Sequence, residues 1–310
     1  MDLRRTPWPA CRQRLMPFAI MLVLGTIWGG APSISKFIAT EGVPPLGSVF
    51  WQAGGAAVFL YVISRLRGGR IPLGPRYLLY YLMVGFVGYA LPNANMIHAT
   101  REIPAGLMAV VLTMNPVCTY LMVLAFRIER VNTLRIAGIA LGLAGACVLV
   151  LPRGSVPDPA MLPWLLFAFV SPLLYGFGNA WAEKFRPTGI ESVTLASAML
   201  FAASAGMGIA ALATDSFYPI WRGLRLVDLV IVGYSGLSVI IFLLFFELIR
   251  IAGAVFVGQV AYLVTLTGLG WGYVLYGETP GHWIWLAVLL VFAGVALVNL
   301  GKGARRAPAD

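Results

Sequence analysis

The chain has 310 residues, of which 60% are hydrophobic and 11% charged, with a formal net charge of +10 and a mean hydropathy of +0.86. So few charges cannot cover so much apolar surface in water, which excludes a soluble globular domain and places the chain in lipid. Cys11, Cys118 and Cys147 lack CxxC spacing, and no HExxH or similar cluster gathers His98 and His282 with carboxylates at metal-ligand spacing, so neither a disulfide framework, a metal site nor another cofactor is expected.

A hydrocarbon core needs about 20 mostly apolar residues per helix. Ten such segments follow one another at 17–38, 44–65, 76–98, 103–126, 132–151, 162–184, 191–213, 226–249, 252–276 and 282–301. Turn chemistry separates several of them, at 42–45, 68–72, 152–159 and 277–281. The first segment carries Trp28-Gly29-Gly30 and is longer than the apolar core of a secretory signal, so it reads as a mature helix.

Polar groups inside lipid face inward, because unsatisfied donors and acceptors are costly there. Asn93, Asn95 and His98 fall on the third segment, Asn115 on the fourth, Tyr175 and Asn179 on the sixth, Glu247 on the eighth, and Gln259 and Tyr262 on the ninth. Each is read either as a link between helices or as a substrate contact, and the set favours a polar route. Asn95 and His98, three residues apart, share a helical face.

Arg101, Ala105, Glu129 and Gly145 recur 149 residues later as Arg250, Ala254, Glu278 and Gly294, and Lys36 and Phe37 recur 148 residues later as Lys184 and Phe185. Five spans per copy, an odd number, predict two repeats of opposite orientation. The expected fold is an all-α integral membrane protein of ten transmembrane helices in two inverted five-helix repeats, 17–151 and 162–301, joined by a linker at 152–161. Segments 1–16 and 302–310 flank them. With the amino terminus inside, seventeen of the 22 Lys and Arg lie on the cytoplasmic face, so both termini are expected there. That asymmetry accounts for the basic charge without a nucleic-acid partner.

The same offset aligns His98 with Glu247, a pair of titratable groups that could serve proton coupling or be ordinary helix-end residues in contact with water. Glu129 and Glu278 precede the fifth and tenth segments, where a carboxylate caps a helix start or takes part in transport. Gly138, Gly142 and Gly145 form a small-residue face for close helix packing.

Trp28-Gly29-Gly30, Asn115-Pro116 followed by Glu129, the Gly138/Gly142/Gly145 helix, and their echoes Tyr175-Gly176, Glu278 and Gly294 resemble the EamA-type branch of the drug/metabolite transporter superfamily. Thr265 departs from the pattern where the first half has its proline, so the ninth helix is expected to lack a kink. The resemblance implies a carrier of small polar metabolites, amino acids among them, working through a central cavity in the plasma or inner membrane. Trp28 and Tyr175 would line that cavity and could stack on an amphipathic substrate. The expected partners are a small-molecule substrate and the bilayer, with a homodimer also compatible. A polytopic membrane enzyme and a non-transporting scaffold are the alternatives; no nucleophile and base constellation or phosphate-binding loop favours the first.

Overall fold

The computed structural model describes residues 10–129, 131–150, 158–221, 223–257 and 260–300. Among them every regular element is helical. In chain order these are α1 (Ala10–Gly29), α2 (Ala31–Thr40), α3 (Pro45–Leu66), α4 (Pro75–Tyr81), a π-helical stretch (Leu82–Ala90), α5 (Leu91–Ala99), α6 (Ala105–Leu112) and α7 (Asn115–Ala125). They continue as α8 (Thr133–Val150), a 3-10 turn (Pro159–Met161), α9 (Leu162–Ala168), α10 (Val170–Phe185), α11 (Ser192–Ala213), α12 (Leu226–Val257), α13 (Val260–Tyr276) and α14 (His282–Leu300).

Among the described residues, six stretches are long and apolar enough to cross a bilayer: Met16–Thr40, Pro45–Leu66, Ala105–Ala125, Pro159–Phe185, Ser192–Ala213 and Leu226–Phe245. Thr133–Val148, Val260–Tyr276 and His282–Val298 are shorter apolar helices. The chain is thus a multi-pass membrane protein. The third expected span is assembled differently, from α4, the π-helical stretch and α5.

Prolines explain the broken helices. A proline ring displaces the carbonyl four residues back and offers no N–H in return. The chain accordingly interrupts at Gly30 before Pro32, at Thr113 and Met114 before Pro116, and at Phe169 before Pro172. With Thr265 instead, α13 runs unbroken, and the hydroxyl is satisfied by Ala261 O at 3.0 Å and by Thr113 Oγ1 at 2.6 Å. One boundary is corrected. No break falls at 250–251, between the eighth and ninth expected segments: one charge at Arg250 without a proline does not end a helix, and α12 continues to Val257.

The two repeats pack by exchanging equivalent partners. α1 lies on α13 as α10 lies on α7, and α3 lies on α12 as α11 lies on the π-helical stretch. α8 pairs with α14, and α3 with α11. Small residues set these distances. A Cβ on Gly138 would stand 2.6 Å from Gly294 O, and one on Gly88 would stand 2.5 Å from Gly178 Cα, so neither crossing admits a side chain. Large apolar residues such as Leu24, Leu60 and Met108 fill the interior, whereas Val58, Val62 and Ile209 point outward to hydrocarbon.

Candidate transport site

A cavity of about 160 Å³ opens between α7, α8 and α10. Its polar wall begins where Pro116 interrupts the helix and exposes Asn115 at the start of α7. Thr119, one turn on, donates to Asn115 Oδ1 at 3.2 Å. Asn179 of α10 donates to Thr119 Oγ1 at 3.1 Å and to Asn115 Oδ1 at 3.3 Å. The structure therefore brings together two of the asparagines read from the sequence, and the Asn115 Nδ2 hydrogens remain without a partner among the described residues.

The other wall is ionic. Arg135, buried although it counts among the basic residues of the cytoplasmic face, pairs with Glu129 and lies 4.7 Å over the Tyr120 ring. Its Nε is buried and unpartnered among the described residues. The expectation that Glu129 caps the fifth segment is corrected. Asn132 Oδ1 fills that role, accepting from Leu134 N at 3.0 Å and Arg135 N at 3.2 Å, which leaves Glu129 turned to the cavity.

Deeper in the bundle, Asn93 donates to Tyr89 O at 2.7 Å, and the Tyr175 hydroxyl meets the Asn93 side chain. Tyr89 in turn meets Ser238, and Tyr234 stands beside it. Tyr175 and Asn179 are four residues apart on α10, so the deep cluster and the cavity lie along one helical face. Tyr89, Tyr234, Thr119 and Arg135 were not singled out in the sequence. Only Thr119, one turn from Asn115, carried a usable spacing signal; a tyrosine in an apolar helix reads as packing.

The remaining candidates sit elsewhere. Asn95 donates to Phe167 O at 3.2 Å and accepts from Ser171 at 2.6 Å, tying α5 to α9 and α10. His98, on the same face, packs against Trp164 and Phe167 with ring centroids 5.4 and 5.6 Å away. Trp28 meets Phe245 edge to face at 6.1 Å. Tyr262 donates to Phe292 O at 3.3 Å. Glu247 is half-buried on α12, and Gln259 lies outside the described residues.

Glu278 forms the second polar centre. Its carboxylate accepts from Lys36 Nζ at 2.6 Å, from Ala105 N at 2.8 Å and from Gly106 N at 2.8 Å. It was expected to cap the helix that follows it. Instead it caps α6 of the other repeat, where two orphan amides and the positive end of the helix receive it. Tyr276 OH donates to Ser33 O at 2.7 Å and its ring lies 5.0 Å under Lys36 Nζ, sealing the junction of α2, α6 and α13. At the equivalent point in the other half, Lys184 donates to Phe126 O at 2.8 Å while Glu129 is held by Arg135. The two ends are thus related in sequence and unlike in bonding.

The sequence model of the EamA-like transporter family matches residues 16–151 and again 162–300. One solved crystal structure of a 20% identical protein superposes with a TM-score of 0.56, covering 95% of this chain and 100% of that one, and supports the fold. No functionally curated protein matches the sequence. Two family matches spanning nearly the whole chain, over two helical repeats that pack by exchanging equivalent partners, establish that this protein belongs to the EamA-like transporter family.

Proposed function

We propose that the chain is a secondary carrier of small zwitterionic metabolites such as amino acids, with ten spans in two inverted repeats and both termini in the cytoplasm of a cell bounded by the carrier's plasma or inner membrane. The observation that carries this reading is the unequal bonding of the two equivalent ends. Lys36 and Glu278 close one end by joining α2, α6 and the loop after α13, whereas Glu129 and Lys184 at the other end have separate partners beside an open polar cavity. Alternating access requires such a difference, because a site between two repeats must be shut on one side while open on the other.

The cavity chemistry suits a zwitterion. Arg135 offers a guanidinium to a carboxylate, Glu129 offers a carboxylate to an ammonium, and Asn115 and Asn179 supply neutral hydrogen bonds. By the distribution of basic residues the cavity opens to the cytoplasm and the Lys36 end faces outward. Counterflow of radiolabelled amino acids into liposomes holding the purified protein tests the assignment. Saturable exchange without nucleotide supports it; conversion of the label to a new product would instead mark an enzyme, and absence of exchange over a broad metabolite panel would favour a scaffold.

A further inference from the structure

A second cavity, of about 590 Å³, shares no residue with the polar route. It runs between the end of α3, the connection leading into α4, and α11. Ala198, Ala202 and Ala205, spaced four and three apart, form a shallow trough along one face of α11. Tyr61 and Phe201, edge to face at 5.9 Å, make one wall. Around it Val62, Leu66 and Leu78 are 50%, 83% and 49% exposed, so the trough is continuous with apolar surface turned to hydrocarbon.

One end of this trough is cationic. Arg65 and Arg70 both line it, and no carboxylate does. Of the neighbouring basic residues, Arg67 pairs with Glu191 at 2.9 Å and Arg186 donates to Ser192 at 2.7 Å, while Arg76 does not line the trough. Arg65 has only a 3.4 Å contact to Gly69 O, and Arg70 has no hydrogen bond or ion pair among the described residues. Two uncommitted guanidiniums at the head of an apolar trough match a phosphodiester joined to acyl chains.

We propose that this groove binds one anionic phospholipid, with its phosphate between Arg65 and Arg70 and an acyl chain along Ala198, Ala202 and Ala205. A soluble anion would satisfy the arginines and leave the trough unfilled. A zwitterionic lipid would bring an ammonium that meets no carboxylate. The arginines stand at the end of the molecule that also carries Arg67 and Arg76, so the lipid is drawn from the leaflet on that side. Because α3 and α11 come from different repeats, the bound lipid clamps the two together. The site is independent of what the carrier transports.

Native mass spectrometry of the full-length protein, titrated with phosphatidylglycerol and with phosphatidylethanolamine, tests this. Phosphatidylglycerol should be retained more tightly, and the Arg65→Gln/Arg70→Gln variant should lose about 30-fold of that affinity, the product of two basic contacts. Ala205→Phe, which fills the open end of the trough at an exposed position, should weaken retention of phosphatidylglycerol with both arginines intact. Equal retention by the wild type and the double variant would overturn the proposal. So would an equal loss in an Arg67→Gln/Arg76→Gln control, which would mark a general basic surface, or displacement of the lipid by millimolar inorganic phosphate, which would mark a free-anion site.

Discussion

Lys36 Nζ lies 2.6 Å from Glu278 Oε1 although 242 residues separate them, and the same carboxylate receives the first two amides of α6. One side chain from the second repeat thereby satisfies a cation and a helix terminus of the first. Both partners are mostly buried, with 20% and 13% of their side chains exposed, so solvent screens the pair only in part. Glu278→Gln removes the charge and keeps the shape. It should cost about 1.5–3 kcal/mol, the range for hydrogen bonds to a charged group, read as a lower unfolding midpoint in detergent. Lys36→Met should give a smaller loss, because the carboxylate keeps both amides.

Asn115 anchors the hydrogen-bonded trio that lines the cavity. Asn115→Leu preserves approximate volume while deleting the acceptor for Thr119 and Asn179. Insertion and monodispersity should be retained, and the half-saturation concentration for counterflow should rise about tenfold, the loss of one well-formed hydrogen bond. Unchanged kinetics would remove Asn115 from the site.

Arg135 is buried against Tyr120 with Glu129 as its counter-charge. Arg135→Leu strands a carboxylate. The destabilisation should fall below the roughly 3–5 kcal/mol typical of a broken buried pair, since 32% of the Glu129 side chain reaches solvent. Arg135→Lys keeps the charge and should restore much of the stability measured by thermal unfolding. It should not restore carboxylate-substrate affinity, because lysine cannot present a guanidinium fork.

The helix contacts make a prediction that separates packing from transport. Gly138→Val places methyl groups against the α14 backbone, where the missing Cβ already stands 2.6 Å from Gly294 O, and should destabilise the fold by about 1–3 kcal/mol. Thr265→Val deletes the hydroxyl that bridges to Thr113 at 2.6 Å. Its cost should be smaller, about 0.6–1.7 kcal/mol, the range for hydrogen bonds between membrane helices. Differential unfolding of the two variants checks the order.

Much of the architecture was legible because it follows from partition and backbone chemistry. Apolar runs mark helices that must satisfy their own backbone in lipid, and Pro116 marks one break; the breaks before Pro32 and Pro172 fall inside segments read as continuous. Thr265 was rightly read as an unkinked position. What failed were features decided by tertiary partners. Hydropathy cannot say that Arg135 folds back under Tyr120, nor that Glu278 reaches across to α6 instead of capping α14. The expected boundary between the eighth and ninth segments is misplaced, because a charge such as Arg250 is compatible with continued helix and α12 runs on. Asn95 and Asn115 look alike in sequence. Only the approach of Ser171 and Phe167 O gives the first a structural role, while the Pro116 break leaves the second beside a cavity.

Alternating access is tested most directly by labelling one cysteine at each end in a background lacking Cys11, Cys118 and Cys147. Ser33→Cys reports from a buried position one turn below Lys36, and Thr119→Cys reports from the cavity. In the conformation described here Thr119→Cys should react and Ser33→Cys should be protected. Adding Glu278→Gln should raise labelling of Ser33→Cys from the outside and lower that of Thr119→Cys from the inside. Reciprocal change is the predicted result. A rise at both positions, or no change at Ser33→Cys, would contradict a carrier gated by the Lys36 and Glu278 closure.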